Sequence, residues 1–298
     1  MNQSSNEVSA EQSKYYNGKS AVPFLAEQQA KNPEEAMNRA NQSFTSGDLD
    51  RALFNYIRVI ELDDQNTTAL VKIGNIHYQR GNYSISYQAY QSAIQIDPQQ
   101  GEALKGSGMI LLHRKSYVMA ETSLNRSIEP LLAQQDKTAA LVESYIGLAI
   151  LNDLRSDYMT SALYYKEAEA LAPTNPMVKS NLGYSFYMQE KWSAAEVAFN
   201  QALQADNSYS PAWKNLGLTY ARQAKYMQAL NALEQVMDSS EAYNDIGYIC
   251  LITQRYEQAA QFFRKAIDEH PQYYEIAHQN LTRVKRLLAT NVDGYSKL

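Results

Sequence analysis

Four histidines (His77, His113, His270 and His278), one cysteine (Cys250) and the triplet Gly18–Lys19–Ser20 could support metal, nucleophilic or phosphate chemistry in this 298-residue chain. Their arrangement supports none of it. No histidine pairs with a second one a helical turn away and HExxH is absent, so a helix-borne metal site lacks its ligands. A single cysteine excludes an internal disulfide and a cysteine-based zinc cluster. The triplet lacks the upstream glycine and strand of a phosphate loop, and neither GxGxxG nor GxSxG occurs. The sequence therefore assigns no catalytic, cofactor-binding or metal residue, expects no cofactor, and predicts a protein that is not an enzyme.

The elements that carry these residues are repetitive. Small side chains recur at Ala40, Gly74, Gly108, Ala149, Gly183, Gly217 and Gly247, mostly in steps of 34. A second small residue follows twelve positions later each time: Ala52, Ser86, Ala120, Ser161, Ala195, Ala229 and Ala259. Three positions before these stand Leu49, Tyr83, Tyr117, Tyr158, Trp192, Tyr226 and Tyr256. Four after them come Tyr56, Tyr90, Leu124, Tyr165, Phe199, Leu233 and Phe263, and three further on Val59, Ala93, Ser127, Ala168, Ala202, Val236 and Ala266. Two helices that cross closely need Gly, Ala or Ser on both sides, while larger residues fill the space toward the next pair. His77 and Cys250 occupy one packing slot with Tyr220, so they read as a buried, hydrogen-bonded histidine and a buried thiol.

This pattern resembles the tetratricopeptide repeat (TPR), whose unit is a pair of antiparallel helices. The stretch from Trp213 follows it closely, with Leu216, Gly217, Tyr220, Ala229 and Leu233 in the signature slots, and Pro98, Pro173 and Pro271 close three units. The expected fold is all-α: an αα-superhelix of seven hairpins, 33–66, 67–100, 101–134, 142–175, 176–209, 210–239 and 240–273. A capping helix at 274–290 and a tail at 291–298 follow. The step from Gly108 to Ala149 is 41, which places an insertion at 135–141 and predicts about two extra turns in helices or connector; that from Gly217 to Gly247 is 30, which predicts a lost turn. The array is expected to kink near both. Residues 1–32 read as a largely disordered or extended leader with a short helix possible after Ala21, and Phe24 and Leu25 as a cap on the first hairpin. Arg283, Lys285 and Arg286 suit the carboxyl end of the capping helix, whose dipole favours cations there.

The resemblance implies that first helices line a groove that holds protein or peptide partners. Slot by slot it places Asn41, Phe44, Asn75, Tyr78, Met109 and His113 there, then Met177, Tyr184, Tyr187, Met188, Lys214, Arg222, Asn244 and Tyr248. Such an apolar, aromatic lining suits a helix face or an extended segment with bulky anchors. The carboxylate clamp of chaperone-binding relatives does not carry over, because Glu102, Glu241 and Asp245 stand where its basic or amide groups belong. The chain reads as an adaptor or scaffold, and its Gln-, Asn- and Tyr-rich cadence is similar to bacterial TPR lipoproteins of tight-adherence pilus assembly and secretion. A peptide-sensing regulator is the alternative.

A net charge of −5 without an extended cluster of Lys and Arg argues against nucleic acid as partner. No run approaches the roughly 18 apolar residues of a membrane span. The chain as given reads as cytoplasmic. The alternative is the periplasmic face of the envelope, since a polar leader of this kind also follows the processed cysteine of a lipoprotein.

Overall fold

The computed structural model describes residues 9–18, 24, 28–134, 138–270, 272 and 274–295, with side chains to residue 289. All sixteen regular elements among them are helices. A short α1 (Ala10–Tyr15) precedes seven successive pairs: α2 (Pro33–Thr45) and α3 (Leu49–Leu62); α4 (Thr67–Gln79) and α5 (Tyr83–Ile96); α6 (Gly101–His113) and α7 (Tyr117–Leu132); α8 (Thr138–Leu154) and α9 (Tyr158–Leu171); α10 (Pro176–Met188) and α11 (Trp192–Ala205); α12 (Ser210–Arg222) and α13 (Tyr226–Leu233); α14 (Ser239–Ile252) and α15 (Tyr256–Glu269). The last helix, α16, spans Glu275–Tyr295. The chain divides into two compact units, 1–151 and 152–298, each with its own core.

Local chemistry starts and stops these helices. Asn32, Asp48, Asn66, Asp157 and Asp238 each accept a backbone N–H three residues on, satisfying a donor the first turn leaves unpaired. Within every pair the turn passes through one left-handed residue. Gly47 (φ 81°) and Gly81 (φ 73°) fill it first; Lys115, Ser156, Glu190, Ala224 and Gln254 then hold φ between 58° and 62°. A residue with a Cβ is strained there, so five of the seven turns carry a local cost imposed by packing.

The second small column is fully buried from Ala52 to Ala259, and the large residues four positions on are 0–2% exposed. Five of them rest on the glycine of their own pair, and Tyr90 and Leu124 also reach a glycine of the next pair. A Cβ added to Gly74 would stand 2.5 Å from the Tyr90 ring, and one added to Gly106 on α6 would stand 2.4 Å from the same ring. Tyr90 is thus clasped between two glycines of successive first helices.

Four departures from the sequence expectation have physical causes. Residues 10–15 are not disordered: α1 packs between α3 and α5, and Tyr15 is 1% exposed. The backbone carbonyl of Tyr15 accepts from His77 Nε2 at 2.7 Å, and its phenol lies 3.0 Å from Ser92 Oγ. α16 runs on to Tyr295, past the expected end at 290, because no proline stops it; Arg283 and Arg286 therefore sit mid-helix, away from a carboxyl terminus. α13 has 8 residues where most second helices have 14, so Val236 falls in a turn and leaves its buried column. The fourth concerns Asn244, described below. α7 and α8 have 16 and 17 residues, longer than their counterparts, and residues 135–137 and Leu25 lie outside the described residues. Phe24 places its ring 5.5 Å from that of Phe54 on α3.

Candidate functional site

In unit 1 the first helices α2, α4 and α6 and the start of α8 surround a cleft of about 380 Å³. Phe44, Asn75, Tyr78 and Met109, all assigned to the groove from sequence, line it together. Gly106 and the edge of Tyr90 supply more of the lining, the Tyr90 ring filling the space that a Gly106 side chain would take. At the cleft, Lys105 Nζ meets Glu143 Oε2 at 2.7 Å, an ion pair between α6 and α8. Lys72 stands 5.7 Å from the Phe44 ring centroid, within cation–π range.

The remaining unit 1 assignments lie beside the cleft. His113 is exposed and rests on Tyr83, ring centroids 4.5 Å apart, while Tyr83 meets Tyr78 edge-on at 5.5 Å. Asn41 is exposed too, but its Oδ1 accepts from the buried Tyr56 hydroxyl at 2.8 Å. One repeat later Asn75 Oδ1 accepts from Tyr90 at 2.6 Å. These asparagines serve the framework, because a buried phenol needs an acceptor. Burial pushes the Tyr56 hydroxyl up to about 12 and that of Tyr90 higher still, so both remain donors across the physiological range.

Unit 2 presents a wall on α10 and a cleft of about 470 Å³ between the starts of α12 and α14, lined in part by the assigned Lys214. Met177, Tyr184 and Met188 are 38%, 41% and 37% exposed, and their spacing of seven and four residues puts them on one helix face. Tyr184 and Tyr187 stack with centroids 6.3 Å apart, and Tyr187 meets Trp192 edge-on at 5.3 Å. Arg222 donates from Nε to Tyr187 Oη at 3.1 Å and lies 5.7 Å and 5.8 Å from the Tyr187 and Trp192 rings. Lys214 reaches Asp245 at 3.6 Å, and Tyr248 is 45% exposed. Asn244 corrects its assignment: it is buried, and its Oδ1 accepts from Asn280 of α16, because the capping helix covers that end of α14.

Sequence reasoning missed Lys105, Glu143 and Trp192. The first two are 38 residues apart and only the stacking of α8 against α6 unites them. Trp192 falls in the aromatic column read as packing, so its half-exposed place beside Tyr187 had no separate signal.

The titratable groups elsewhere are structural. Burial raises the Cys250 thiol and lowers His77. Burial also raises Asp153, which accepts from Ser161, from Ser185 at 3.0 Å and from Tyr165 at 3.0 Å, tying the end of α8 to α9 and α10. No group of three or more metal-ligating side chains occurs among the described residues.

Helix hairpins clasped at glycine and alanine, with polar and aromatic first-helix faces left open, define a helical-hairpin repeat protein. The chain belongs to the tetratricopeptide repeat family: the family profile matches residues 37–101, 71–136 and 214–274, together more than half of the chain. It is 21% identical over 226 residues to the peroxisomal targeting signal receptor of Kluyveromyces lactis, covering 74% of this chain and 39% of that protein. The chain spans less than half of the curated relatives it matches. Among solved structures it resembles a TPR protein of Parabacteroides merdae (17% identity, TM-score 0.55, 86% of this chain, 100% of the other). It also resembles pilF of Pseudomonas aeruginosa (14%, TM-score 0.55, 75% and 98%). At these identities the likeness is one of fold, the TPR solenoid. No described helix is long and apolar enough to cross a membrane.

Proposed function

We propose that this protein is a non-catalytic adaptor or scaffold that holds an apolar peptide or helical segment of a partner protein on its first-helix faces. The observation that carries this reading is the unit 1 cleft, where Phe44, Tyr78 and Met109 converge above Gly106. Aromatic and methionine side chains bury large apolar area on binding, and methionine adapts to more than one sequence. The exposed row Met177, Tyr184 and Met188 is a second contact of the same chemistry. Lys105 and Glu143, paired with each other at the cleft, place polar groups beside a bound main chain. A net charge of −5 favours protein over nucleic acid as the partner.

The process we assign is assembly of a bacterial pilus or secretion system. The Gln-, Asn- and Tyr-rich repeat cadence supports it, and pilF of Pseudomonas aeruginosa has the same fold.

Selection of displayed helical peptides against the whole chain tests the binding reading. Enriched peptides should carry two or more bulky apolar residues on one face. Tyr78→Ala combined with Met109→Ala, or Tyr184→Ala combined with Tyr187→Ala, should weaken their capture at least about tenfold, the loss expected of central aromatic anchors. Undiminished capture by both folded double variants would exclude the first-helix faces. Pilus or secretion assembly that proceeds normally after deletion of the gene would remove the assigned process and leave the binding reading standing.

A further inference from the structure

The second helices carry clefts of their own, on the face away from the proposed groove. The first, between α3 and α5 over α4, is filled by α1: Tyr15 joins a buried cluster with Leu53, Ile57, Ile60, Leu70 and Ile73. Polar contacts finish the fit. His77 meets the Tyr15 carbonyl, Ser92 meets the phenol, and Gln12 donates to the Phe54 carbonyl at 3.4 Å.

One repeat further on, between α5 and α7 over α6, the equivalent cleft is open, with a volume of about 230 Å³. Its lining is the first cleft shifted by 34 residues. Tyr87, Ile94 and Leu104 stand at the positions of Leu53, Ile60 and Leu70. Val118 and Met119 at its edge are 75% and 57% exposed, an unusual state for two adjacent large apolar side chains on one helix.

Four substitutions between the clefts change what would fit. Gln91 and Ser107 replace Ile57 and Ile73, and the Gln91 amide donates to Ser107 Oγ at 2.9 Å, so part of the floor is polar and already paired. Leu111 replaces His77, so the occupant gains no donor for a backbone carbonyl. Arg126 replaces Ser92, so a cation stands where the phenol of Tyr15 found a hydroxyl. Arg126 donates to the Pro98 carbonyl at 3.0 Å and keeps further N–H groups on its guanidinium. At the Tyr87 side Arg114 lies 5.0 Å from that ring. No carboxylate among the described residues lines the cleft.

We infer that this second cleft is a docking site for a short helical segment of a partner protein that carries one bulky aromatic or aliphatic anchor and a neighbouring carboxylate. The anchor enters among Tyr87, Leu104 and Leu111 as Tyr15 does one repeat earlier, and the carboxylate meets Arg126. The site is separate from the first-helix groove, so its occupancy is read independently of the function proposed above.

The test uses the whole chain and three labelled synthetic peptides followed by fluorescence anisotropy. One copies residues 9–18 with Lys14→Glu, which sets an acid beside the tyrosine anchor. The second is the unaltered 9–18 segment, and the third is the acidic peptide with Tyr15→Ala. The acidic peptide should bind at least tenfold more tightly than either of the others. Its affinity should fall at least tenfold on Arg126→Glu and on Val118→Glu, both exposed positions whose variants are checked for unchanged thermal melting. A benzophenone at the anchor position should cross-link to α7. Equal affinity of the unaltered segment would overturn an acidic partner in favour of a second copy of this chain. Binding indifferent to Arg126→Glu and Val118→Glu, or cross-linking to α3, would overturn the site itself.

Discussion

The two units treat one pair of positions in opposite ways. In the first two pairs of unit 1 the residue after the small anchor of the first helix is Asn41 or Asn75, and the large residue it faces on the second helix is Tyr56 or Tyr90. In the fifth and seventh pairs, in unit 2, the same positions hold Tyr184 with Phe199 and Tyr248 with Phe263. A buried phenol demands an acceptor, so unit 1 commits its asparagines to the framework. A phenylalanine demands none, and the first-helix position becomes free to present an exposed tyrosine. The fourth pair solves the problem differently: Tyr165 donates to Asp153, three residues further along α8 than the asparagine slot.

That contrast can be broken most severely at Tyr90. Tyr90→Ala removes a ring clasped by two glycines and should cost about 3–5 kcal/mol in urea unfolding, the usual cost of deleting a buried aromatic. Tyr184→Ala should stay within about 0.5 kcal/mol, because its ring is substantially exposed. Comparable losses at both would erase the distinction between framework and surface tyrosines.

Asn75→Leu sharpens the point about acceptors. Stranding the Tyr90 hydroxyl should cost about 1–3 kcal/mol, and adding Tyr90→Phe should restore most of it by removing the phenol that needs an acceptor. A double-mutant cycle with no coupling would show that the hydrogen bond is incidental. Turn strain is the smaller lever. Ala224→Gly should raise stability by about 0.5–1 kcal/mol, the left-handed penalty offset partly by glycine's greater freedom when unfolded. Gly47→Ala should act in the opposite direction.

The mildest expected effect is a pH dependence confined to unit 1. Burial and Arg80 lower the His77 pKa while the Tyr15 carbonyl raises it, the net direction being down. The folded state then binds fewer protons than the unfolded one. Stability from α1 docking is full above the unfolded value of about 6.5 and is lost as pH falls through it toward the lowered folded value. Proteolysis at residues 9–18, followed from pH 8 to pH 5, should accelerate at the acid end, and His77→Leu should flatten the profile. An unchanged profile in that variant would remove His77 as the cause.

The columns of small and large residues were legible because they repeat, and the seven hairpins show those small residues buried. The left-handed turn column escaped notice since only Gly47 and Gly81 advertise it; Lys115 and Ala224 adopt the same φ because the neighbouring helices hold them there. The leader misled for a related reason. Residues 10–15 are polar and short, and a helix of six residues has no stability of its own; it exists because the cleft over His77 accepts Tyr15.

Sequence by itself therefore determined the all-helical class, the pairing of helices and the burial of Cys250 and His77, because each follows from side-chain size and period within one repeat. Tertiary structure alone decided that Lys105 meets Glu143, that Asn41 and Asn75 serve buried phenols, and that one second-helix cleft is filled while the next stands open. Those outcomes depend on which surfaces stacking brings within a few ångströms, and residues tens of positions apart carry no local mark of the partner they will face.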